Sequence, residues 1–155
     1  MNNTVVRELR LNDYEGVREV DDLTQRVYRG IKWDKLSEKK KDEFMTSRKG
    51  EFKLNCKTKF SFIAIRNHKV VGFLLAHETL PFKDKIFIRH IAVHPDFQKQ
   101  GIGKRLYGAL INKARIKNKI KIEALINLDN PPSIKLHKEV GFKVVTWARA
   151  IFKLL

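Results

Sequence analysis

The chain has 155 residues, 43% of them hydrophobic, a length that holds one domain with a core of ordinary size. No apolar run is long enough to span a bilayer, the segment MNNTVVRELR lacks the apolar stretch of a secretory signal, and the lone Cys56 excludes an internal disulfide or a cysteine-based metal site, so cytoplasmic residence without a membrane partner is the expectation. Thirty-three basic residues against 17 acidic ones give a net charge of +16. That surplus is uneven: residues 1–30 carry five cations and six acids, residues 97–155 thirteen cations and three acids. A basic C-terminal half suits a polyanionic ligand, either nucleic acid or a phosphorylated cofactor. Lysines that merely solvate helix faces are the plainer account.

Residues 4–11, TVVRELRL, read as a first strand. Residues 12–29 have helical spacing, with Val17, Val20, Leu23 and Val27 along one face and Asn12 as an N-cap three residues before Glu15. A second, polar and exposed helix is expected over 36–49, stopped by Gly50. Residues 59–67 and 69–78 are strand-like runs around a short turn at Asn67 and His68, a hairpin signal. KIFIRHIAV, 85–93, is another strand, and a helix follows over 102–117 with Leu106, Leu110 and Ala114 at i+4 spacing. A strand is expected over 119–127. Asn130 ahead of Pro131 and Pro132 marks a helix start, and Gly141 its end. FKVVTWA and AIFKLL complete the series as two strands. The order β-α-α-β-β-β-α-β-α-β-β makes an α/β (α+β) domain of residues 1–155, about seven strands flanked by about four helices.

The stretch QKQGIGKRL, 98–106, sets Gly101 and Gly103 where a strand gives way to a helix. Without Cβ atoms the backbone can turn sharply there and a ligand can approach. The first amides of a helix have no internal acceptor, and with the helix dipole they make an anion site. Lys104 and Arg105 would be repelled by that positive end, and a bound phosphate reverses the sign. One phosphate-bearing ligand therefore accounts for both glycines and both cations. A P-loop is excluded, because no Ser or Thr follows Lys104. The dinucleotide fingerprint is unmet too: Leu106 stands where its third glycine belongs, and a meander precedes the turn.

Two segments resemble the GNAT superfamily of acyl-CoA-dependent N-acyltransferases. The family's central signature is a strand ending V-x-P, then Gln or Arg, two residues, Gly, one residue, Gly or Ala, and a helix. AVHPDFQKQGIGKRL meets it, with Gln98, Gly101 and Gly103 in place. A later family segment runs from Asn through Ile-x-Leu and Tyr or His to Gly-Phe, and NPPSIKLHKEVGF, 130–142, matches that. The SIKLH form is similar to that of the small amino-acid and phosphinothricin-type acetyltransferases. The resemblance spans residues 4 to 155 and implies a mostly antiparallel sheet, acetyl-CoA as co-substrate, no metal, and direct attack of a primary amine on the thioester in a ternary complex.

By the same resemblance, Gln98, Lys99, Gln100, Gly101, Ile102, Gly103 and Lys104 would bind the coenzyme A pyrophosphate, helped by Arg105. Ile91, Ala92 and Val93 would hold the pantetheine arm where their strand splays, with the Val93 amide polarising the thioester carbonyl. Asn130 would touch the pantetheine, and Lys135 or Lys138 the 3′-phosphate. His137 stands at the family's usual acid position, where an imidazolium can protonate the leaving thiolate; packing beside Ile134 and Val140 is the alternative. The family's base positions are filled by apolar Phe87 and Leu125, which leaves Glu78, Glu123 or a water relay as base. His90 reads as a core or surface histidine.

Such folds line the acceptor cleft with the first helices and last strands, here Tyr28, Trp33, Phe44, Trp147 and Phe152. The basic surface disfavours polyamines and favours an acidic amino acid, an acidic peptide N-terminus or a nucleic-acid-associated protein. The acceptor class is an amino acid, small amine or protein amine, and AIFKLL is a candidate homodimer edge. Two other functions fit the charge or the missing carboxylates: a basic nucleic-acid-binding module, and an acyl-CoA sensor without catalysis.

Overall fold

The computed structural model describes residues 4–45 and 48–146, and the chain falls into two compact units, Met1–Leu125 and Ile126–Leu155. The first unit is built on five strands: β1 (Val5–Glu8), β2 (Phe62–Arg66), β3 (Lys69–Glu78), β4 (Lys85–Val93) and β5 (Lys121–Ala124). They lie side by side in chain order, the first four antiparallel and β5 parallel to β4. Asn67 and His68, both at positive φ (49° and 62°), form the two-residue turn whose twist matches the β2–β3 hairpin.

The side chains of these five strands, rich in β-branched and aromatic residues, alternate between the two faces of the sheet. One face carries Ile63, Phe73, Leu75 and Ala92 against Val17 and Val20 of α1 (Tyr14–Arg29) and a buried Phe52. The other face is covered by α5 (Ile102–Ile116), whose Ile102, Leu106, Tyr107, Leu110 and Ala114 are buried. Gly72 permits that packing: a Cβ there would lie 3.1 Å from the Ala92 carbonyl oxygen and 3.2 Å from Ile102 Cγ2. Helix and strand end are thus brought together at one point, which the site uses.

Between β1 and β2 the chain departs from the single polar helix expected over 36–49. It forms α2 (Ile31–Asp34), α3 (Glu38–Phe44) and α4 (Lys49–Thr58). Gly50 stops no helix. It sits in the first turn of α4, where the helix survives because Phe52 and Asn55 are buried and the Asn55 side-chain amide donates to the Glu51 carbonyl. Asn12 is not the cap of α1 either. It lies in a 3-10 turn, and Asp13 takes the capping position, accepting both Arg7 guanidinium nitrogens and the Arg10 amide.

The second unit carries α6 (Pro131–Glu139), as the Asn-Pro-Pro start predicts. The Asn130 side chain accepts from the Ser133 amide at 3.2 Å, and Gly141 follows at φ 100°. Residues 142–146, expected to open a strand, carry no strand pairing. Trp147 and the AIFKLL strand lie outside the described residues, so the described sheet has five strands rather than about seven.

Candidate active site

β4 is the strand that makes a groove. Along one edge it pairs with β3 over its whole length, but along the other it pairs with β5 only from Lys85 to Ile88. At Arg89 it carries one extra residue: Ala76 faces Ile88, and the next β3 residue, Leu75, faces His90. A bulge bends and over-twists its strand. This one begins one residue after the last β5 partner, so the edge from Arg89 to Val93 leaves its parallel neighbour at the bulge. Ile91, Ala92 and Val93 lie on that released edge.

The chain then turns through a 3-10 segment, Pro95–Phe97, held by local bonds. His94 Nδ1 accepts the Asp96 amide at 3.2 Å, Gln98 Nε2 donates to the Val93 carbonyl at 3.1 Å, and Gln100 Nε2 donates to the Asp96 carbonyl at 3.3 Å. Arg66 reaches across from β2 to donate to Gln100 Oε1 at 2.7 Å, its guanidinium over the Phe97 ring. Lys99 and Gly101 both take positive φ, 59° and 76°. That conformation is open to glycine, and the space a Cβ would fill at Gly101 is empty to 4 Å.

The first hydrogen bond of α5 runs from the Arg105 amide to the Gly101 carbonyl at 3.1 Å, which leaves the Ile102 and Gly103 amides ahead of it without a helical acceptor. Ile102 is buried and pins the turn, while Lys104 and Arg105 are exposed beside it. A positively charged helix start, a glycine-bared approach and a released strand edge are the donor set that a diphosphate with an extended arm requires.

The candidate bases are placed unequally. Glu78 pairs with Ile86, on the far end of β3 from the turn, and is ion-paired with Lys119. Glu123 stands opposite Phe87 and is ion-paired with Lys121 at 2.7 Å. Sequence reasoning passed over His90. Because of the bulge it faces α1, with its ring 5.5 Å from Phe73 and Nε2 3.7 Å from the fully buried Asp21. Burial pushes its pKa below the usual histidine value, against the opposing pull of Asp21, so the imidazole is neutral at physiological pH. Alternation along a regular strand would have set His90 on the face of Ile88; only the bulge, invisible in the residue pattern, moves it.

His137 is buried, its Nδ1 donates to the Ser133 carbonyl at 2.7 Å, and its ring meets Phe142 edge-on. Burial lowers its pKa more than the Ser133 bond raises it, so it is a poor imidazolium at neutral pH and the packing alternative is the one its surroundings match. Lys138 is exposed on α6. Trp33 does not line a cleft: it is fully buried, with Nε1 donating to Asp22 at 3.1 Å, and belongs to the core. Tyr28 is 51% exposed on α1, and Arg29 covers the Phe44 ring. The Cys56 thiol is pushed up to about 11 by burial, which removes it as a nucleophile.

A model of the acetyltransferase (GNAT) family matches residues 19–142. The ribosomal protein bS18-alanine N-acetyltransferase of Escherichia coli K12 is 28% identical over 108 residues, 70% of this chain and 67% of that protein. The L-amino acid N-acyltransferase MnaT of the same strain is 41% identical over 54 residues, 35% of this chain and 31% of its own. Among solved structures, the PaiA N-acetyltransferase of Thermoplasma acidophilum in complex with coenzyme A superposes with a TM-score of 0.77 at 18% identity, covering 92% of this chain and 91% of that one. At that identity the likeness is one of fold. With the family model spanning both signature segments, this chain belongs to the GNAT acetyltransferase family and is an acetyl-CoA-dependent N-acetyltransferase.

Proposed function

We propose that the acceptor is the N-terminal amine of a basic protein or peptide, and that β4 and the start of α5 carry the transfer. The observation that carries the catalytic reading is the release of β4 from β5 after Ile88, ending at the bared helix start of Gly101. In this reading the amides ahead of Arg105, with Lys104 and Arg105, bind the diphosphate of acetyl-CoA, and Ile91 to Val93 hold its arm. The Val93 amide stabilises the oxyanion formed when the amine adds to the thioester carbonyl. A C–N bond forms, the C–S bond breaks with coenzyme A leaving as its thiolate, and the amine proton passes to a base and then to that thiolate, giving the free thiol.

His90 is the base in this reading. A carboxylate at Asp21 favours the tautomer with the proton on Nε2, which leaves Nδ1 as acceptor. Three residues along β4 separate it from Val93, roughly 10 Å, so in this reading the proton passes through a chain of at least two waters and not through one. Glu123 remains the second candidate, because it shares the His77 and Phe87 face of the sheet.

Charge supports a cationic acceptor, against the acidic one that the overall +16 favours. Eleven of the 17 acids, but only twelve of the 33 cations, lie in residues 1–51, where the first helices stand. A depression of about 460 Å³ between α1 and α3 is lined by Glu15, Glu19, Asp22 and Glu38, with Arg18 and Lys41. The relative named for acetylating an alanine of a ribosomal protein supports a protein amine. The test is thiol release from acetyl-CoA with matched peptides whose first residues are basic or acidic. Faster turnover of the basic peptide is expected; equal or faster turnover of the acidic one refutes the acceptor assignment.

A further inference from the structure

The chain's positive charge has a second focus, at the other end of α5. There the ends of β1, β3, α4 and α5 enclose a depression of about 440 Å³ floored by Phe60. Five lysines line it, together with two acids. Both acids are engaged: Glu8 is ion-paired with Lys113 and Glu78 with Lys119. Lys57, Lys59 and Lys117 are exposed and have no side-chain hydrogen bond or ion pair among the described residues.

Three like charges in one concavity repel one another. The C-terminal ends of α4 and α5 offset part of this, about half a charge each, and leave a surplus of about two. Lys53, also exposed, lies one turn before Lys57 on the same face of α4 and extends the row. α5 runs for 15 residues, so this focus lies roughly 22 Å from the turn at Gly101. It is therefore a separate site from the one that serves the diphosphate of the co-substrate.

We infer that this lysine-lined depression binds the phosphodiester backbone of a nucleic acid, without reading its sequence. A row of ammonium groups matches charges repeated along a strand better than one compact anion. Lysine is a point-charge partner for phosphate, and among the described residues no arginine fork lines the depression to read base edges. The lysines line a depression of about 440 Å³ and not a flat face, a form that suits a strand-like ligand better than a headgroup layer. RNA and DNA share this chemistry, and the test separates them.

Fluorescence anisotropy with labelled 20-mers of RNA and of DNA, across a salt series, measures the binding. The expected result is salt-sensitive binding of one or both strands that saturating coenzyme A does not displace. In the triple variant Lys57→Ala, Lys59→Asn, Lys117→Ala, asparagine keeps the left-handed backbone of residue 59 accessible. Its slope of log affinity against log salt should be shallower by about 2, from three lost phosphate contacts. Acetyl-CoA turnover and melting temperature should stay at the parent values, because all three side chains are exposed and remote from Gly101. Displacement of the strand by coenzyme A, an unchanged slope in the variant, or equal binding of polyglutamate or of anionic vesicles overturns the inference. So does the absence of binding to either strand at low salt.

Discussion

Gln98 donates its side-chain amide to the Val93 carbonyl at 3.1 Å, across the turn that joins β4 to α5. The bond fixes the last peptide of the released strand edge relative to the helix start. It is exposed, so its value lies in placement more than in stability. Gln98→Ala should lower kcat/KM for acetyl-CoA by about tenfold, equivalent to about 1.4 kcal/mol of transition-state stabilisation, with little change in melting temperature. Unchanged kcat/KM would show that the Val93 peptide is held without this bond.

Gly101 separates backbone strain from charge. At φ 76° an alanine costs roughly 1–2 kcal/mol, yet its Cβ meets nothing within 4 Å. Gly101→Ala should weaken acetyl-CoA binding several-fold, whereas Gly101→Glu, which adds a carboxylate to the proposed anion site, should remove detectable binding in calorimetry. Equal affinities of the two variants would refute the anion role of this turn.

Two histidines, the buried His137 and the partly buried His90, make the fold acid-sensitive. His90 and His137 both have folded-state pKa values below the ordinary 6.5, chiefly through burial. The unfolded chain binds the protons more readily, so the stability gained by keeping them neutral is present above about pH 6.5 and is lost as pH falls through the lowered values. Denaturant midpoints should drop between pH 7.5 and 5, and His137→Leu should drop less. His90→Gln should remove the acidic limb of the kcat/KM profile if the imidazole accepts the amine proton. Retention of that limb assigns the base elsewhere.

Trp33 and Tyr28 were paired as acceptor contacts by sequence and are divided by burial. Trp33→Ala should cost about 3–5 kcal/mol of stability, as a large core truncation does. Tyr28→Ala, at a half-exposed position on α1, should stay within about 0.5 kcal/mol. Chemical denaturation measures both, and a mild effect at Trp33 would return it to the surface.

The elements that sequence placed well are those with strong local chemistry. Asn130 with two prolines opens α6, Asn67 and His68 turn the hairpin, and Gly101 starts α5 within a residue of the expected position. The elements it missed depend on distant partners. α4 forms around Phe52, whose burial against α1 and the sheet is a tertiary fact that no periodicity in residues 49–58 announces. The glycine turn before α5 was readable because glycines and cations adjoin in the chain. His90 was not, because its neighbour Asp21 is 69 positions away and its orientation hangs on a bulge.

The extra residue at Arg89 has a cost hidden in its benefit. A strand shortened by that one position could continue its ladder past Ile88 and zip closed against β5, gaining main-chain bonds and cohesion. The same closure would erase the groove proposed to hold the thioester. Removal of a single residue should therefore yield a sturdier protein that no longer turns over, and selection for thermal robustness alone would push this fold toward inactivity at that point.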